Sequence, residues 1–139
     1  MRIAWVTPFS SRSAIGRVSA SATAALAQRG HEIIIVRSER ERSDHMPSHP
    51  TALPIHSWID VDIRDLNIRF DVIVLNIGDN YNFHAGIFPF IEGPICFGIF
   101  HDFYLYNLFN QWVALNQLSD EAHDQEVLAT YGEGALAIA

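Results

Sequence analysis

The residues best equipped for chemistry in this 139-residue chain fall in three polar stretches, each placed directly after an apolar run. The first is Ser10-Ser11-Arg12-Ser13 followed by Gly16-Arg17, after the run Ile3 to Thr7. If Gly16 opens a helix, backbone amides and the positive end of the helix dipole suit a phosphate there, with Arg17 assisting. The second is Asn76-Ile77-Gly78-Asp79-Asn80-Tyr81-Asn82-Phe83-His84, after Asp71 to Leu75. The third is His101-Asp102, after Ile95 to Phe100. An imidazole at a strand end faces the ligand crevice of an open sheet, which makes His101 the foremost functional candidate. Asp102 stands immediately before a helical pattern and is expected to cap it.

Other chemistries lack their residues. His84 and His101 with Asp79 and Asp102 have no tight ligand spacing of the H-x-x-x-H kind, so neither a metal nor a cofactor is expected. No G-x-S-x-G elbow is present, and Cys96 lies inside an apolar run, as a buried and unreactive thiol would. The chain has no lysine, which excludes a Walker A phosphate loop, and Gly16 is the only glycine before Gly30, which removes the dinucleotide fingerprint. A receiver domain would need paired acids after its first strand, where this chain has Thr7-Pro8.

Charge narrows the partners. The formal net charge is −7, and every one of the nine Lys plus Arg positions lies before Phe70, leaving the second half without a base. A nucleic-acid binder needs a basic face, so DNA and RNA are set aside. The most apolar stretch, Ile87 to Phe100, is broken by Pro89, Glu92, Gly93, Pro94 and Gly98, and the N-terminus is too short in apolar residues for a signal peptide. No membrane span and a cytoplasmic location are the expectation.

The elements that must position these residues alternate. Ile3 to Thr7, Ile33 to Val36, Asp71 to Asn76 and Ile95 to Phe100 read as strands, the middle two as buried β-branched runs of a parallel sheet, and Leu53 to Trp58 as a further strand. Helices are expected over 16–29, ended by Gly30, over 83–91, over 103–118 and over 119–137. Residues 38–51, polar and with two prolines, are expected to form a long, mobile surface loop. The pattern predicts one α/β domain over 1–139, with a Rossmann-like, mainly parallel sheet and helices on both faces.

In order along the chain, these pieces resemble the N-terminal domain of group 1 (family 4) retaining glycosyltransferases of the GT-B fold. Met1 to Pro8 with Ser13-Ala14-Ile15-Gly16 is similar to that family's opening strand and S-G-I loop, and Leu26-Ala27-Gln28-Arg29-Gly30-His31-Glu32-Ile33 to its L-A-R-R-G-H-E-V segment. Asp71 to Asn80 with Phe83-His84-Ala85 resembles its Q-x-G-N-N-x-x-H strand and loop, Phe100-His101-Asp102 with Leu105 its L-H-D-x-x-L motif, and Ala129 to Gly134 its A-Y-G-E-x-G. Two departures stand out: Gly78-Asp79-Asn80 where Gly-Asn-Asn is commoner, and Arg17 where relatives place Asp or Gly.

The resemblance implies a hexosyltransferase that moves a sugar from a nucleotide-sugar donor, with retained configuration, to a saccharide or other hydroxyl acceptor, normally without a metal. Residues 1–139 would be its acceptor-side domain, a fragment completed by a C-terminal nucleotide-sugar-binding domain of the same chain. His101 would be the catalytic residue, orienting the donor sugar or stabilising charge near its anomeric centre. Ser13, Gly16, Arg17, Asn76, Gly78, Asn80, His84 and Asp102 would bind substrate, with Gly16 letting backbone amides approach the diphosphate or sugar. The rival reading is a non-catalytic carbohydrate- or nucleotide-binding module of the same fold.

Overall fold

The computed structural model describes residues 1–91 and 93–116. Five strands, β1 (Arg2–Thr7), β2 (Glu32–Arg37), β3 (Ile55–Ser57), β4 (Val72–Ile77) and β5 (Cys96–Phe100), form one sheet in the order β3-β2-β1-β4-β5. Every pairing is parallel. The runs Ile-Ala-Trp-Val and Val-Ile-Val-Leu become the central strands because both of their faces are covered, which only continuous apolar sequence tolerates. This is a Rossmann-like α/β domain. Its strand order reverses between β1 and β4, where Val6 pairs with Leu75, and in such sheets the crevice beyond that reversal is where ligands bind.

Helix α1 (Ala14–Gln28) covers one face, with Ala22, Leu26 and Ala27 against Ile3, Trp5, Ile33 and Val74. Its buried positions, Gly16, Ser19 and Thr23, are small, so the helix sits close to β1, and the Ser19 and Thr7 hydroxyls meet at 2.7 Å. Gly30, at φ 84°, closes it in the left-handed conformation that glycine adopts without strain. The opposite face carries α2 (Ile63–Arg69), α3 (Tyr81–His84), a 3₁₀ turn (Ala85–Phe90) and α4 (Tyr106–Leu115). They enclose Val6, Val36, Ile73, Leu75, Ile87, Phe90 and Leu108, each such side chain contributing about 1.5–3 kcal/mol when fully buried.

Several boundaries depart from the sequence reading. The strand expected over 53–58 is reduced to Ile55–Ser57 on the sheet edge. The helix expected over 83–91 divides into α3 and the 3₁₀ turn, since Pro89 has no N–H for an α-helical ladder. The helix expected over 103–118 starts at Tyr106. Helix α2 was not foreseen; it is seven residues long and buries one side chain, Leu66. Residues 38–51 are not a bare loop: Arg42–His45 form a 3₁₀ helix, Ser48 bridges to Ser10, and Ser38 and Glu39 are fully buried. The helix expected over 119–137 lies outside the described residues, as does the Ala129–Gly134 segment.

Candidate functional site

On the β1 side of the crevice, Glu39, Arg37 and the loop amides satisfy one another, while His45 Nε2 beside them is buried without a hydrogen-bond partner among the described residues. Glu39 lies under the loop that follows β1, and its Oε1 accepts hydrogen bonds from the amides of Phe9 at 2.7 Å and Ser10 at 2.6 Å. Arg37 pairs with the same carboxylate at 2.9 Å, and both side chains are almost entirely buried. A buried carboxylate is tolerable when its lone pairs are taken by a cation and by N–H donors, as here. The Arg37 guanidinium also reaches Ser48 Oγ at 2.5 Å, tying the 38–51 segment to the same clamp.

Helix α1 begins within this clamped loop. Ser13 is its N-cap: Ser13 Oγ accepts from the Gly16 amide at 3.0 Å, and the Ser13 carbonyl accepts from His49 Nε2 at 3.0 Å. The Gly16 amide is therefore engaged inside the protein. A Cβ at Gly16 would stand 2.6 Å from the Pro8 carbonyl oxygen and 2.9 Å from His49, so this glycine is needed for the chain's own close packing. Arg17 is exposed on the helix surface.

The β4–β5 side is arranged differently. Asn76, buried near the end of β4, donates from Nδ2 to the Val6 carbonyl at 3.1 Å, which turns its Oδ1 toward His101. His101 Nε2 lies 3.0 Å from that oxygen and is the donor, because an amide oxygen only accepts. His84 Nδ1 lies 3.0 Å from the backbone carbonyl of the same residue and donates to it. Burial pushes the His84 imidazole down to about 4, outweighing the upward pull of that hydrogen bond, so the ring is neutral at pH 7. Gly78 sits where these groups converge: a Cβ there would meet His84 Nε2 at 2.7 Å, Ile15 Cδ1 at 2.8 Å and Asp102 Oδ2 at 3.0 Å.

Asp102 does not cap the helix that follows it. Its Oδ2 accepts from the Asp79 amide at 2.8 Å, holding the loop after β4 to the loop after β5. The N-terminus of α4 is satisfied instead by Asp79, whose Oδ1 accepts from the Leu108 amide at 3.0 Å and whose Oδ2 takes the Asn107 side-chain amide at 2.5 Å. Asn80 caps α3 through the Asn82 amide. Asp79, Asn80, Asp102, Asn107 and Gln111 line a polar hollow of about 300 Å³. Asn76, Gly78, His84, His101 and Asp102 are thus brought together, with Ile15 of α1 facing them, while Ser13 and Gly16 serve the first turn of α1 and Arg17 lies on its surface.

Sequence reasoning missed Glu39, Arg37 and the capping role of Asp79. Glu39 sits in the charged run Ser-Glu-Arg-Glu-Arg, which reads as a solvated segment. Cys96 is half-buried, donates to the Phe90 carbonyl, and burial pushes its thiol up, in keeping with an unreactive role. Among the described residues no group of three His, Cys, Asp or Glu is placed to hold a metal ion, and no helix is long and apolar enough to cross a membrane.

The fold and this geometry define a Rossmann-like α/β domain in which Asn76, Gly78, His84, His101 and Asp102 cluster at the β4 and β5 strand ends, beside a polar hollow that shares Asp102 with them. Comparison with models of known families, with characterised proteins and with solved structures finds no match to the chain.

Proposed function

We propose that the chain is the acceptor-side half of a retaining glycosyltransferase, whose crevice holds a saccharide through His101 and the groups around Gly78. The observation that carries this reading is convergence. Asn76, Gly78, His84, His101 and Asp102, quoted from two separate stretches of the family resemblance, meet in one cluster joined by hydrogen bonds and close packing. His101 would orient the sugar and supply preorganised polarity near the reacting carbon, the kind of effect that usually dominates such catalysis. The nucleotide of the donor falls to a second domain.

A specific observation weights the reading toward saccharide over phosphate on this half. The Gly16 amide is occupied by Ser13, and the polar hollow is lined by carboxylates and amides with no basic side chain. That composition also suits the rival reading of a carbohydrate-binding module.

Titration with a panel of neutral saccharides and nucleotide-sugars, read by ring signals of the histidines, tests the proposal. Saccharide binding that perturbs His101 and is lost in His101→Ala is the expected result, with no transfer by residues 1–139 alone. Absence of saccharide binding across the panel would overturn the reading.

A further inference from the structure

Both histidines of the crevice are held by one residue through different atoms. The backbone carbonyl of Asn76 takes the His84 Nδ1–H, its side-chain Oδ1 takes the His101 Nε2–H, and its Nδ2 is anchored on Val6 of the neighbouring strand. The anchor matters because an asparagine amide is otherwise free to turn over and offer its NH₂ to His101, which would demand the opposite ring proton. With Nδ2 committed to a carbonyl, that alternative is closed. Asn76 pairs with Ile99 of β5 and directly follows Leu75, the last residue of β4 paired with β1, so its backbone is fixed at the end of the sheet.

We propose that Asn76 is a positioning residue that sets the two imidazoles in opposite tautomers, His84 with its proton on Nδ1 and His101 with its proton on Nε2. The nitrogens left bare are then His84 Nε2, held against Gly78 beside Asp102, and His101 Nδ1 on an exposed ring. His101 consequently meets a ligand as a hydrogen-bond acceptor, which suits a hydroxyl donor and disfavours an anion. This last consequence rests on the saccharide reading given above; the tautomer assignment does not.

The His84 form is the informative one, because free imidazole side chains in water prefer the proton on Nε2. Long-range ¹H–¹⁵N spectra of the full chain at pH 8 report which nitrogen of each ring is protonated. The expected result is Nδ1–H for His84 and Nε2–H for His101. Asn76→Asp keeps an acceptor oxygen under His101 and should retain its Nε2–H, whereas Asn76→Leu, of similar size, should leave that ring in exchange between tautomers. Both variants keep the backbone carbonyl, so an unchanged His84 signal certifies that the site is folded. A wild-type His84 with its proton on Nε2, or a wild-type His101 with its proton on Nδ1, overturns the proposal without recourse to any variant. So does an Asn76→Leu chain whose His101 stays locked as in the wild type while His84 is unchanged.

The saccharide panel named above, methyl glucoside included, added to the same sample, separates the two readings. Tautomers as expected with no shift of the His101 signals by any member of the panel would sink the saccharide reading and leave the role of Asn76 standing. Shifts at His101 together with the wrong tautomers would do the reverse.

Discussion

The two sides of the crevice are built from similar residue types and end in opposite states. On the β1 side, the Glu39 carboxylate, the Arg37 guanidinium and the amides of Phe9 and Ser10 take up one another's hydrogen-bonding capacity, so this clamp is complete without a ligand. The nitrogens left bare beside it among the described residues, His45 Nε2 and His49 Nδ1, belong to the 38–51 segment that packs over it. On the β4–β5 side, each histidine is held by one nitrogen and leaves the other without a hydrogen-bond partner among the described residues. A buried polar network stabilises in proportion to how fully it is satisfied, and a group left over in a crevice is available to something else. The first side therefore reads as architecture that fixes the crevice wall, the second as the part that the proposed saccharide would meet.

The sharpest way to break this comparison is at Glu39. Replacement by Ala strands the Arg37 guanidinium in the interior and orphans the Phe9 and Ser10 amides, and removing one partner of a buried pair typically costs about 3–5 kcal/mol. Urea unfolding of Glu39→Ala should show a loss of that order. A loss below about 1 kcal/mol would mean the clamp is open to water, and the contrast between the two sides would fail.

A second effect, almost as large, belongs to the other side and depends on pH. His84 titrates at about 4 in the folded chain against 6.5 for the free side chain, with burial as the main cause. The unfolded chain therefore binds the proton first as pH falls. Stability is whole above about 6.5, declines between 6.5 and about 4, and levels off below, with a total loss on the order of 3 kcal/mol from this group. Carboxylates titrate in the lower part of that window as well, so the measurement is a difference: the wild type should lose about that much more stability than His84→Gln between pH 7.5 and 4. Parallel pH dependences would place the ring in water.

Legibility followed the same divide. Strands β1, β2 and β4 announced themselves because a strand covered on both faces needs an unbroken apolar run, and the residues at their ends were visible as polar breaks. Asn76, His84 and His101 were therefore findable. Glu39 was not, because nothing local distinguishes a charged residue that will be buried from one that will be solvated; the amides of Phe9 and Ser10, thirty residues earlier, decide it. Helix α2 escaped for a related reason, since one buried leucine in seven residues makes no periodic signal.

The two glycines of the crevice refine the comparison at intermediate size. At Gly16 an added methyl meets a backbone carbonyl that cannot withdraw, whereas at Gly78 it meets the far ends of three side chains. Gly16→Ala should cost about 1–3 kcal/mol in stability, in the range of core overpacking, while Gly78→Ala should cost less and instead displace His84 and Asp102. The check is an unfolding curve for each variant beside the histidine ring spectra. Equal stability costs with undisturbed rings would show that the β4–β5 side is as rigid as its counterpart.

The smallest effect tests where the N-terminus of α4 is capped. Sequence position favoured Asp102, because it precedes the helix, yet a cap need only present an oxygen to the first free amides, and the loop after β4 brings Asp79 there from a distant part of the chain. Asp79→Ala removes the acceptor for the Leu108 amide and for the Asn107 side chain, so a loss of about 1 kcal/mol is expected, with hydrogen exchange rising first at Leu108. Asp102→Ala leaves that cap in place and removes only the tie to the exposed Asp79 amide. Its stability should change by no more than about 0.5 kcal/mol, as for most surface substitutions. The reverse ranking would return the capping role to Asp102 and detach Asp79 from α4. The ranking expected here leaves Asp102 as a carboxylate whose one fixed contact holds two loops together, with its second oxygen free of any hydrogen bond among the described residues.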